Sequence, residues 1–254
     1  MKDHIPYVSI FGVPVSKWSM KDTVAYLTEV IERRTEPHQV ITVNPIQVMA
    51  ALDAPALMDM MNRAELIVPD GTGVVWAAGY VSNPVTERVT GIDLIHNLLK
   101  TGEARRWKVY LLGASPEIIA EAGRRLEAQY PLIQWVGRRD GYFSEELDQQ
   151  VIADIAQAAP DILLVGRSAD KQEPWIDRYK QRLQVPVMMG VGGSFDVISG
   201  KLKRAPKLFQ KLRLEWFYRL IQEPWRYKRM LTLPIFAMKV IREKENVQKR
   251  PANS

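Results

Sequence analysis

Leu66-Ile67-Val68-Pro69-Asp70-Gly71-Thr72-Gly73-Val74-Val75-Trp76 reads as a buried strand, a glycine turn and the start of a helix. The strand is branched and apolar, and Pro69 closes it. Gly71 and Gly73 let the backbone turn tightly and approach a ligand. A helix opening after such a turn aims unpaired N–H groups at any nearby anion. Asp70 stands at the strand end, in the same field that would draw a phosphate. A carboxylate in that place is a candidate base beside a phosphorylated substrate. Its plainer reading is an N-cap for a helix over 72–80.

The pattern of a branched run followed by a helix recurs on both sides of this stretch. Val40 to Asn44, Val109 to Gly113, Ile133 to Gly137, Ile162 to Gly166 and Val187 to Gly190 read as strands. Helices are expected over Asp22–Arg34, Met49–Leu52, Pro55–Arg63, Asp93–Lys100, Pro116–Gln129, Glu145–Ala158 and Lys171–Leu183. Ser19 and Ser115 are their clearest caps, the second with Pro116 at the first helical position. A short strand pair turning at Gly12 precedes them over 7–15. Apolar strands alternating with helices predict an α/β fold: a Rossmann-like, mostly parallel sheet covered by helices on both faces.

The chain has 254 residues and a net charge of +6, but the charge is uneven. Residues 200–254 hold 15 Lys and Arg against 4 Asp and Glu, a net of +11, and the first 199 carry −5. The composition changes near residue 200, which divides a catalytic domain over 1–199 from a basic appendage over 200–254. In the appendage Leu208, Leu212, Trp216 and Leu220 recur at helical spacing among Lys207, Lys211, Arg213 and Arg219. A basic, tryptophan-bearing amphipathic helix suits an anionic membrane surface; the plainer reading packs its apolar stripe on the body or a second subunit. Nucleic acid fits less well, because the cations are interleaved with large apolar residues.

Several classes are excluded early. The chain contains no cysteine, so it has no disulfide and no thiolate nucleophile. His4, His38 and His96 are the only histidines and share no metal-ligand spacing. The N-terminal residues do not read as a signal peptide, and no apolar run approaches a membrane span. There is no Asp-x-Asp pair to hold a metal-bound nucleotide sugar, no Walker loop and no full G-x-G-x-x-G. No metal or cofactor is expected, so arginines and helix N-termini must stabilise any departing diphosphate.

In an open parallel sheet, ligands bind at the carboxyl ends of the strands. Thr42, Asn44, Asp70, Gly113, Asp140, Gly166 and Asp196 gather there. Each alone is more often a cap or a turn residue. Arg88 is a candidate for neutralising a diphosphate, or a surface ion-pair partner near Glu87. Gln172 and Glu173 are candidates for sugar hydroxyls, or ordinary first-turn residues. Gly192 and Gly193 are candidates for a nucleotide cradle, or a tight turn.

Together these residues go further. Thr42-x-Asn44-Pro45, Pro69-Asp70-Gly71-x-Gly73, Glu87-Arg88-Val89-x-Gly91-x-Asp93, Val165-Gly166 with Lys171-Gln172-Glu173, and Gly190-Val191-Gly192-Gly193-x-Phe195-Asp196 follow in order. Gly200 through Arg204-Ala205-Pro206, Glu215-Trp216-x-x-Arg219-Leu220 and Glu223-Pro224 complete the series. The set resembles the WecG/TagA/CpsF glycosyltransferase family over about residues 8–232.

The resemblance implies an inverting, metal-independent transfer of a sugar from a UDP donor to a polyprenyl-diphosphate-linked sugar. N-acetylmannosaminyltransferases are the nearest functional analogues. They add ManNAc in β-1,4 linkage to GlcNAc-diphospho-undecaprenol in wall teichoic acid linkage-unit synthesis; other members use ManNAc uronate or glucose. By resemblance Asp70 is the base, with Thr42, Asn44, Arg88 and Gln172 around it. Gly71, Gly113, Tyr142, Gly192, Gly193 and Asp196 fall on the donor side. Arg219, Arg226 and Arg229 would reach the acceptor diphosphate. The resemblance further implies a cytoplasmic protein held peripherally on the inner face of the bacterial plasma membrane, and a homo-oligomer. The chain departs from the family between Arg167 and Asp170, where Leu-Gly-x-Pro usually follows Val-Gly. The added Arg167 suggests an acidic donor sugar such as ManNAc uronate, and the altered loop leaves an inactive nucleotide-binding scaffold as the reading of another class.

Overall fold

A computed structural model describes residues 5–249 of the chain; His4 and the ends of both expected domains lie outside the described residues. A two-stranded antiparallel hairpin opens it, β1 (Tyr7–Ile10) and β2 (Val13–Ser16), with Gly12 at φ 88° in the turn. Then follow α1 (Met20–Arg33), β3 (His38–Val43), α2 (Pro45–Leu52), α3 (Pro55–Arg63), β4 (Leu66–Pro69), α4 (Thr72–Tyr80) and α5 (Gly91–Glu103). The second half continues with β5 (Lys108–Gly113), α6 (Pro116–Gln129), β6 (Gln134–Arg139), α7 (Asp148–Ala158), β7 (Ile162–Gly166), α8 (Ala169–Leu183), β8 (Val187–Gly190) and α9 (Ser194–Ile198). The basic tail forms α10 (Lys207–Lys211), α11 (Glu215–Gln222), α12 (Tyr227–Met230) and α13 (Thr232–Arg242).

Six strands pair in parallel in the order β4-β3-β8-β7-β5-β6. The alternation of side chains explains why both faces are covered. Val40, Leu66, Val109, Leu111, Ile162 and Leu164 point to one face and pack with α1, α5 and α6. Their neighbours Ile41, Val43 and Ile67 point to the other, against α2, α4 and the hairpin, while Leu112, Leu163 and Val165 meet α7 and α8. A period of two with both sets apolar is the mark of a doubly covered parallel sheet.

Local signals place most helices where the sequence predicts them. Ser19 and Ser115 cap α1 and α6 with their side chains. Asn44 caps α2 with Pro45 at its first position, as the Asn44-Pro45 turn signal indicates. The helices α1, α5 and α8 each start two residues earlier than the periodicity indicates, α5 with the Thr90 hydroxyl capping it at the Asp93 amide. β6 runs to Arg139, past the expected end at Gly137; it is an edge strand, paired on one side only, and tolerates arginines that a central strand would bury.

The tail is not one amphipathic helix. It breaks after α10, where Arg213 takes φ 60°, and α11 starts afresh at Glu215. Its last helix is seated in the body: Phe236 and Val240 are buried in the same cluster as Val48, Val74 and Ala77. Beyond it Val247 is buried too, and its carbonyl accepts the Phe11 amide at 2.7 Å. Among the described residues no helix is long and apolar enough to cross a membrane.

Candidate active site

The carboxyl ends of β3, β4, β7 and β8 open into a cavity of about 1670 Å³, roofed by the tail. Thr42, Asn44, Asp70, Gly71, Arg88, Tyr142, Gln172, Gly192, Gly193 and Asp196 all line it, as do Arg219, Arg226 and Arg229. Gly113 does not. It takes φ 131°, and a Cβ there would stand 2.3 Å from the Gly166 carbonyl oxygen. Its bareness lets β5 and β7 close together, and the wall behind is formed by Ala114 and Ser115.

Asp70 is not a helix cap. Gly71 holds that position for α4, and the Asp70 and Gly71 amides both donate to the Val43 carbonyl at 3.0 Å. The turn is thereby tied to the end of β3. Gly71 and Gly73 are bare for packing as much as for a ligand: a Cβ on either would stand 2.6 Å from the Pro45 ring. Burial pushes the Asp70 carboxyl up to about 6, against the pull of Arg88 and the Gly91 amide; Glu215 and Asp93 push the same way as burial. A carboxylate with that value is ionised at neutral pH yet basic enough to take a proton in a transition state.

Arg88 is not paired with the neighbours of Glu87. Its guanidinium donates to the Thr72 hydroxyl at 3.1 Å and forms an ion pair with Glu215 of the tail. Glu87 instead accepts the amide of Met20 at the start of α1. Thr42 packs under α5, within 3.4 Å of where a Gly91 Cβ would lie. Asn44 uses its Oδ1 to cap α2, accepting the Ile46 amide at 3.0 Å and the Gln47 amide at 3.2 Å.

On the other side of the cavity Gln172 faces the protein backbone. Its Oε1 accepts the Gly192 amide at 3.0 Å and its Nε2 donates to Glu173 at 2.9 Å. Gln172 therefore fixes the Gly192 turn, whose φ is 49°. Glu173 does not line the cavity at all. It is 1% exposed, held by Gln39 and Gln172, and burial pushes its carboxyl up to about 7. Tyr142 stands at the rim, 79% exposed. Arg167 lines the cavity with its guanidinium 4.4 Å over the Phe143 ring.

The tail brings a dense positive cluster to this cavity. The Arg219 guanidinium lies on Gly193, where a Cβ would come within 2.3 Å of it. Glu223 accepts from Arg219 at 2.9 Å and from Arg226 at 2.7 Å. Against the opposing effect of burial, these bonds hold the Glu223 carboxyl below its ordinary range. The buried Arg226 Nε has no hydrogen-bond partner. Arg229 is pushed below its ordinary range by burial and by Arg226 and Arg219, with Asp170 opposing. Guanidinium groups gathered in one cleft attract a multiply charged anion.

Glu215, Glu223 and Arg204 stand inside the motifs with no role that the sequence alone assigns. Here Arg204 binds both Asp93 oxygens at 2.7 Å and clamps the strap that leads into the tail. The signal available was the isolated acid in a basic tail, which marks a partner for arginine.

Comparison with known proteins adds an independent finding. The family model described as the Glycosyl transferase WecG/TagA/CpsF family matches residues 8–250. A protein of Bacillus subtilis (strain 168) is 34% identical over 239 residues, covering 94% of this chain and 92% of its own. One of Staphylococcus aureus (strain MW2) is 36% identical over 243 residues, 95% of each. Both are called N-acetylglucosaminyldiphosphoundecaprenol N-acetyl-beta-D-mannosaminyltransferase.

Proposed function

The chain belongs to the WecG/TagA/CpsF family of glycosyl transferases, and on that premise we propose that it moves N-acetylmannosamine from UDP-ManNAc to GlcNAc-diphospho-undecaprenol. The observation that carries this reading is the meeting of Asp70 with Arg88 and the tail arginines in one cavity at the strand ends. Asp70 takes the proton of the acceptor's 4-hydroxyl as its oxygen attacks the anomeric carbon. The bond from that carbon to the UDP oxygen breaks on the opposite face, and the configuration inverts. Arg88 and the α4 N-terminus neutralise the charge that gathers on the departing UDP. In this reading no metal ion is needed for that step. Gln172 acts through Gly192, as a positioning residue for the donor side. Arg219, Arg226 and Arg229 take the acceptor diphosphate.

The tail supports a peripheral seat on the cytoplasmic face of an anionic membrane. Leu208, Leu212, Trp216, Ile221 and Trp225 are all more than 40% exposed, beside Lys207, Lys211 and Lys228. A lipid-linked acceptor would be met there. The resulting product would serve assembly of a cell-wall polymer such as wall teichoic acid.

The test is a product assay. Incubation with UDP-ManNAc and a GlcNAc-diphospho-prenyl acceptor should release UDP and add one N-acetylhexosamine to the lipid. The place of Arg167 on the cavity wall favours a second donor, UDP-ManNAc uronate, run in parallel. Turnover of the uronate alone would replace the donor and keep the rest; turnover of neither would remove the reading.

A further inference from the structure

The cavity has an apolar side that none of the chemistry above uses. Pro45 and Ile46 at the start of α2, Trp76 on α4, and Met230, Leu233 and Ala237 along α12 and α13 line it. The helical spacing explains how α13 serves three surroundings at once. Phe236 and Val240, one turn apart, face the core and are 1% and 0% exposed. Leu231, Ile235 and Met238 face outward at 57%, 49% and 61% exposure. Leu233 and Ala237, also one turn apart, face the cavity between those two stripes and are partly buried. Opposite them, Trp76 stacks on Tyr80 at 5.4 Å between ring centroids, which fixes the indole on the α4 side.

The polar neighbours give this wall its meaning. Arg226 and Arg229 precede Met230 and Leu233 by four residues each, so the arginine cluster passes directly into the apolar wall. The wall in turn is continuous with the outward stripe of α13. An anion site that leads into a hydrocarbon path, and from there to an exposed apolar surface, fits one ligand chemistry: a diphosphate esterified to a long isoprenoid.

We infer that the cleft between Trp76 of α4 and Leu233 and Ala237 of α13 is a binding channel for the first isoprene units of the acceptor, leading the chain from the arginine cluster out along α13. The inference rests on the proposed lipid-linked acceptor. It makes Trp76, Leu233 and Ala237 specificity-determining residues for the lipid, separate from those that hold the sugars.

The test is a binding comparison on the full-length protein, by titration calorimetry, between farnesyl diphosphate and inorganic diphosphate. Farnesyl diphosphate should bind about tenfold tighter or more, a lower bound for burying even a short isoprene chain. Ala237→Phe fills the channel and should abolish that preference while leaving diphosphate affinity unchanged. Leu233→Asn, which adds no bulk, should reduce it in the same direction. Met238→Asn on the outer stripe should leave it intact. Equal binding of the two probes would overturn the channel and leave the arginine site standing. Binding of neither would overturn the channel together with the acceptor reading. A preference lost in Met238→Asn but kept in Ala237→Phe would place the chain on the outer surface and overturn the inference.

Discussion

The Arg88 guanidinium is shared between two parts of the chain: it donates to the Thr72 hydroxyl of the body at 3.1 Å and is ion-paired with the Glu215 carboxylate of the tail. The residue nearest in role to Asp70 is thus oriented partly by a segment almost 130 positions later in the sequence. The tail lines the cavity and holds one of its arginines. Glu215→Gln should loosen α11 and speed tryptic cleavage within 207–231. It should also lower kcat/KM by about tenfold, as expected for losing one arm of an aligned guanidinium. Arg88→Ala should cost more, and the double variant less than the sum, with a coupling of about 1–3 kcal/mol. Strict additivity would show that the pair does no work together.

The raised value of Asp70 sets a pH signature. As a base it acts ionised, so kcat/KM should rise through about pH 6 and level off above it. Glu215 contributes to that raised value, so Glu215→Gln should move the acid limb downward. An acid limb centred near the ordinary carboxylate range, near 4, would contradict the placement of Asp70.

Glu173 makes a separate prediction about stability. Its folded value is about 7, above the ordinary 4.5 of the unfolded chain. Its favourable contribution is therefore full below about pH 4.5 and is lost as pH rises through 7. Glu173→Gln stays neutral, and a turned Gln39, whose Oε1 is buried without a partner, can accept from it. In urea titrations the variant should gain on the wild type between pH 5 and pH 8, by roughly 2–3 kcal/mol at the upper end. A gap that does not change with pH would mean that Glu173 is ionised in the fold.

Two glycines should separate folding from chemistry. Gly113→Ala meets the Gly166 backbone at 2.3 Å and must hold φ 131°, so it should destabilise by about 3 kcal/mol or more. Gly193→Ala meets only the end of the Arg219 side chain, which can swing aside. It should leave the melting temperature within a few degrees and lower kcat/KM by displacing that arginine. Equal loss of stability in both would contradict the assignment.

The sheet and its helices were legible because their signals are local. Branched runs such as Val40–Val43 and caps such as Ser115 act within a few residues. So was the cluster of polar groups at the strand ends, since a parallel sheet sends them all to one side. What stayed hidden depends on neighbours distant in sequence. Gln172 reads as a ligand for a sugar until Gly192 is seen to occupy it. Gly113 reads as a donor-side residue until β7 is placed against it. The tail reads as one amphipathic helix because its spacing carries through Arg213, yet the chain turns there so that Glu215 and Arg219 can face the cavity.

The most direct test of the central claim is a single-turnover assay with UDP-ManNAc and a GlcNAc-diphospho-prenyl acceptor in EDTA, comparing the wild type with Asp70→Asn. The wild type should release UDP. The variant should lose about a thousandfold in rate, with UDP affinity unchanged, because the substitution removes the base and leaves the binding groups. Comparable rates in the two proteins would contradict Asp70 as the base. Release that requires added metal would contradict a diphosphate stabilised by arginines alone.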